Sequence, residues 1–149
     1  REIERKIREY YPNIEQIVTS PTIKQNHWRV AITTSDYFYV GSVKDGHIEI
    51  VDQFEKNPLP DNELFRLAKQ DSNIAAFLSF SPVYRWEVND YDDFTEIRFI
   101  DLRYRSNERY PFVAVVQIDD NMRIMTSYTG WIFSEQKLRN KLEIGDNPV

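Results

Sequence analysis

Asp45-Gly46 stands between two runs rich in β-branched and aromatic residues, Tyr37–Val43 and His47–Val51. Both central positions of a type I′ turn need positive φ, which Asp and Gly tolerate, so this dipeptide predicts a tight antiparallel hairpin. Just upstream, Trp28, Val30 and Ile32 alternate with Arg29, Ala31 and Thr33. A period of two marks a half-buried strand. With Ser35-Asp36 as the connecting turn, the three segments predict an antiparallel meander.

The rest of the chain is organised around that meander. Residues 1–11 read as a charged amphipathic helix, with Ile3, Ile7 and Tyr10 or Tyr11 at helical spacing and Pro12 ending it. Ile14, Ile17 and Val18 suggest a further helical turn, stopped by Ser20-Pro21. Asn57-Pro58-Leu59-Pro60 carries two prolines in three residues and excludes regular structure. Asp61 offers an N-cap for a helix with Leu64, Phe65, Leu67 and Ala68. Asp71 or Ser72 offers another, for a helix with Ile74, Ala75, Phe77 and Leu78. Four strands are then predicted at Val83–Val88, Phe94–Tyr104, Phe112–Ile118 and Met122–Tyr128, with Asp119-Asp120-Asn121 turning the last pair. A short helix over Ser134–Leu142 closes the order. These elements predict a single α+β domain: one curved antiparallel sheet of about six to seven strands with helices packed on one face. Residues 1–19 read as its helical entry and residues 20–149 as its body.

Several function classes are excluded outright. The 149 residues contain no cysteine, so disulfides, thiolate metal sites and cysteine nucleophiles are absent. No apolar run exceeds five residues, as in Phe112–Val116, far short of a bilayer span. With 19 Lys and Arg against 24 Asp and Glu, the net charge of −5 argues against nucleic acid as a partner. The four glycines form no phosphate loop, and there is no HExxH, EF-hand or GxSxG pattern. His27 and His47 lie on different predicted strands and read as ordinary strand or turn residues. Asp90-Tyr91-Asp92-Asp93, with Glu96 nearby, reads as a solvated turn. Aromatic residues such as Trp28, Trp86 and Trp131 line either a core or a cavity.

The segment from Ile97 to Arg105 carries more chemistry. On a strand, Ile97, Phe99, Asp101 and Arg103 face one way, while Arg98, Ile100, Leu102 and Tyr104 face the other. A carboxylate on a face that begins apolar needs a cation or several donors. Asp101 and Arg103 are therefore either a structural ion pair or the polar floor of a pocket. In the second case Arg103 is the fork for a small anionic ligand, and Arg98 and Tyr104 are the next candidates.

Ser20-Pro21 through Trp28-Arg29-Val30, then Tyr37-Phe38-Tyr39-Val40-Gly41, and later Phe94 through Tyr104 with its RFIDLRY strand, resemble the C-terminal soluble region of the YdjM/YfhP-type membrane-bound metal-dependent hydrolases. The resemblance covers essentially the whole chain. It implies that these residues are a piece of a longer protein anchored by membrane helices before Arg1, at the cytoplasmic face. Arg5, Lys6 and Arg8 suit that position by the positive-inside tendency. It also implies that any divalent metal belongs to the preceding membrane portion, with no cofactor here. The expected role is then regulatory or ligand-binding rather than catalytic. The alternatives are a self-contained small-molecule binder or enzyme with a curved-sheet pocket, and an interaction module that pairs through a sheet edge, for instance as a homodimer.

Overall fold

Pro58 and Pro60 lack the amide donors that a strand or helix interior needs, and the chain divides beside them. A computed structural model describes residues 2–22 and 27–145. It separates Arg1–Asn57 from Pro58–Val149 as two compact units. The strands accordingly form two four-stranded antiparallel sheets, and the expectation of one curved sheet of six to seven strands in a single domain is corrected. Alternation and turn signals specify pairing between neighbouring segments, but they do not say where a sheet ends. Arg1 and the side chain of Tyr10, both drawn into the predicted first helix, lie outside the described residues.

The N-terminal unit comprises α1 (Glu2–Tyr10), β1 (Gln16–Pro21), β2 (His27–Thr33), β3 (Tyr37–Lys44) and β4 (His47–Glu55), with sheet order β1-β2-β3-β4. Ile7 on α1 packs with Ile14, Val30, Ile32 and Val43, and Ile3, Tyr11, Trp28 and Tyr39 surround them. The helix thus covers one face of the sheet. The hairpin forms as expected from its turn residues, with φ of 49° at Asp45 and 82° at Gly46. The added strand is β1, whose Ile17 pairs with Ile32 and Val18 with Ala31. These residues pair as a strand rather than continuing in helical turns.

The pairing of β3 and β4 shifts by one residue between Val40 and Gly41, and the two strands lie close at Gly41. A Cβ on Gly41 would lie 2.2 Å from the Glu49 carbonyl oxygen. Backbone cannot move aside as a flexible side-chain end can. Gly41→Ala should therefore lower the stability of this unit by about 1–3 kcal/mol, measured by urea unfolding with amide exchange along β3 and β4. Unchanged exchange would show that the strands separate there without loss.

The C-terminal unit comprises α2 (Glu63–Gln70), α3 (Ser72–Phe80), β5 (Tyr84–Asp90), β6 (Phe94–Asp101), β7 (Phe112–Asp119), β8 (Ile124–Trp131) and α4 (Glu135–Gly145). Asn62, one residue past the predicted cap, accepts the Phe65 amide, and Asp71 accepts those of Asn73 and Ile74. The sheet order is β5-β6-β7-β8. Phe65, Ala68, Ile74 and Phe77 of α2 and α3 pack on Ile97, Phe99, Ala114, Val116 and Ile118. Ile100, Val113 and Val115 face the other way and meet Leu138 and Leu142 of α4. Helices therefore cover both faces of this sheet rather than one. Double coverage also explains the apolar run, since β7 is buried from Val113 through Ile118.

Candidate functional site

The strand carrying the candidate residues stops at Asp101, and that ending creates the site. Asp101 is fully buried on the α2/α3 face. Ser81, just past the end of α3, donates its hydroxyl to Asp101 Oδ2 at 2.6 Å. The Arg103 backbone amide donates to Oδ1 at 2.8 Å, while its Nε and Nη2 reach the same carboxylate at 3.1 and 2.7 Å. Nη2 also lies 3.4 Å from the Phe80 carbonyl. The hydrogen bonds to Asp101 hold the Arg103 guanidinium above its ordinary pKa. Asp101 and Arg103 meet through this turn, since no strand continues beyond Asp101 to align them by the pleat.

Pinned by the carboxylate, the guanidinium lies against two rings, 4.7 Å from the Phe80 centroid and 4.9 Å from that of Tyr104. Tyr104 packs edge-on against Trp131 at 4.9 Å. Phe112 lies 5.0 Å from Trp131 and 5.7 Å from Phe80, and it stacks on Phe77, which leads into the core. The outer rings remain in water: Phe80 is 55% exposed and Trp131 49%, with Phe133, two residues further on, at 59%. The result is a ridge of aromatic rings with one stacked arginine, seated on a rigid sheet end. Beside it, the turn Ser106–Arg109 closes as a two-residue hairpin with positive φ at Asn107 and Glu108.

Arg98 does not join this site. It points to the α4 face, where Glu135 accepts from Nη1 at 2.5 Å and from Nη2 at 3.2 Å. Glu96, also fully buried there, takes a two-pronged hydrogen bond from Arg139 at 2.7 and 2.8 Å and one from Gln117 at 3.1 Å. Burial alone would push the Glu96 carboxyl up. The bonds from Arg139 and Gln117, then the charges of Arg139 and Arg98, outweigh it and hold the group below its ordinary 4.5. Glu135 is lowered as well, first by its hydrogen bond from Arg98. This network anchors α4 to the sheet.

Sequence reading proposed Arg103 and Tyr104 as site residues and did not single out Phe80, and it left Trp131 between core and cavity. The available signal was the run of large apolar residues Trp131-Ile132-Phe133 at the end of the last strand. The strand ends at Trp131, and Ile132 packs into the α4 core while Trp131 and Phe133 stay exposed. Among the described residues, no group of three or more His, Asp or Glu is arranged to hold a metal ion.

A sequential four-stranded antiparallel sheet with helices on both faces makes the C-terminal unit a three-layer α+β domain. Residues 63–142, more than half of the chain, match the family model described as the YfhP C-terminal alpha/beta plait domain, and residues 12–54 match the YfhP middle domain. The chain belongs to the YfhP family. It is 56% identical over 144 residues to the "Uncharacterized protein YfhP" of Bacillus subtilis (strain 168). That alignment covers 96% of this chain but 44% of the relative, so the chain spans less than half of that protein's length. No solved structure matches.

These findings correct the expectations drawn from the resemblance. Neither the family descriptions nor the relative's name indicates a membrane-bound metal-dependent hydrolase. Among the described residues, no helix is long and apolar enough to cross a membrane. The hydrolase-linked role and the placement at a cytoplasmic membrane face rested on that resemblance and fall with it. The basic residues of α1 belong to a nine-residue helix whose Ile3 and Ile7 serve the core of the N-terminal unit.

Proposed function

We propose that the chain is a binding module that recognises an apolar or aromatic segment of a partner protein through the ridge formed by Phe80, Tyr104, Phe112 and Trp131. The observation that carries this reading is the exposure of Phe80 and Trp131, each about half in water although both belong to one continuous ring cluster. Large aromatics left in water together mark an interaction surface more often than isolated ones do. Arg103 adds a flat cationic plate whose charge is already matched by Asp101, so the centre of the ridge suits an uncharged occupant better than an anion.

The test is selection of displayed peptides on the immobilised chain, followed by titration against the double variant Phe80→Ala, Trp131→Ala. Because both rings are half exposed, the variant should keep its melting curve while the selected peptides bind at least about tenfold more weakly. Failure to enrich any peptide, or enriched peptides that bind the variant equally, would overturn the proposal. Self-association of the parent chain that is lost in the variant would identify a second copy, not a partner segment, as the occupant.

A further inference from the structure

The N-terminal unit carries a separate concavity that the aromatic ridge does not use. A groove of about 430 Å³ opens between the start of α1 and the β3–β4 hairpin. This falls within the range of small-molecule sites. Ile3, Trp28, Val43 and Ile48 give it an apolar lining, and Glu2, Lys6 and Asp45 bring charge to it. Glu2 is engaged by Arg5 at 3.7 Å. Among the described residues, neither Lys6 nor Asp45 forms an ion pair, although both line the same groove.

Opposite charges left unpaired beside an apolar lining are complementary to a dipolar molecule with an apolar body. A simple cation would satisfy Asp45 and leave Lys6 unmatched, and a simple anion would do the reverse. A zwitterion serves both. The lining adds an indole, Trp28, against which an aliphatic or aromatic side chain can pack. Asp45 is held at φ 49° and Gly46 at 82° by the tight turn, so this carboxylate is presented by a stiff backbone.

We infer that this groove binds a free α-amino acid with an apolar side chain. The ammonium sits against Asp45, the carboxylate against Lys6, and the side chain over Trp28 and Ile48. No covalent step is involved.

The experiment is an amide chemical-shift titration of the whole chain with L-phenylalanine, with phenethylamine and 3-phenylpropionate as single-charge analogues. L-Phenylalanine should shift the amides of Trp28, Val43, Asp45 and Ile48, and each analogue should bind at least about tenfold more weakly for want of one charged contact. Lys6→Gln and Asp45→Asn should each weaken L-phenylalanine binding by a similar factor while leaving the remaining spectrum in place. Asparagine is chosen because it tolerates the positive φ of that turn. The inference is overturned if L-phenylalanine causes no shift in this set up to its solubility limit. It is equally overturned if phenethylamine or 3-phenylpropionate binds as tightly, or if either variant binds as the parent does.

Discussion

Asp101→Ala is expected to lower the stability of the C-terminal unit by about 3–5 kcal/mol. The carboxylate is wholly buried and satisfies the Ser81 hydroxyl, the Arg103 amide and two guanidinium nitrogens. Its removal strands all of those donors, and the half-buried guanidinium left without a partner is the costly member of the set. A domain of this size has only about 5–15 kcal/mol in total, so part of the population should unfold at physiological temperature. Urea unfolding measures the loss. A change below about 1 kcal/mol would mean that water replaces the carboxylate, and the pair would then be peripheral to the fold. Asp101→Asn separates fold from site. It preserves volume and should leave the unit folded, but it frees Arg103 to leave the rings of Phe80 and Tyr104. Peptide binding at the ridge should therefore fall in a protein that still melts cooperatively.

The way Asp101 and Arg103 come together shows where sequence reasoning holds and where it stops. The period of two correctly sorts Ile97 and Phe99 from Arg98 and Ile100, because the strand is real over those residues. Continued to Arg103, the same rule brings Asp101 and Arg103 together for a reason that does not apply. The backbone leaves the sheet at Asp101, and the Arg103 amide turns back onto the carboxylate. Side chains of Asp compete with strand pairing in this way, and periodicity does not report it. The cap at Asp71, one of two residues offered, and the turn at Asp45-Gly46 were legible because each depends on a few neighbouring residues, whereas the cap expected at Asp61 falls one residue on, at Asn62. The edge strand β1 was not, since Ile14, Ile17 and Val18 also fit helical spacing and only pairing with β2 decides between the two. The division of the described strands into two sheets was hidden for a related reason. Two prolines announce a break, but whether a sheet resumes across it depends on contacts between residues far apart in sequence. The ridge was partly hidden because Phe80 and Trp131 look like core residues until the end of the sheet is known.

The ion network on the opposite face should reverse the pH dependence of stability when Arg139 is removed. In the parent chain Glu96 is held below its ordinary 4.5, chiefly by Arg139 against the effect of burial, and Glu135 is lowered too. A carboxyl whose folded pKa is depressed binds fewer protons folded than unfolded, so its contribution is present above about 4.5. That contribution is lost as pH falls through the lower folded value. Stability of the parent should thus rise with pH across the acid range and level off above it. Arg139→Met removes the two-pronged hydrogen bond and leaves Glu96 facing Gln117 at 3.1 Å and Arg98 at 3.6 Å, with Arg98 shared with Glu135. Burial then dominates, and the Glu96 carboxyl moves up. With its folded pKa above the unfolded value, the variant should lose stability as pH rises from about 4.5 through the raised folded pKa, a range in which the parent has already levelled off. At neutral pH the loss should reach about 3 kcal/mol, at the lower end for a broken buried pair because the network is not closed to solvent on the Arg139 side. Urea midpoints measured from pH 3.5 to 7 test both parts. Parallel curves for parent and variant would show that Arg98 and Gln117 alone keep Glu96 charged, and α4 would then be held by Leu138 and Leu142 rather than by the ion pair.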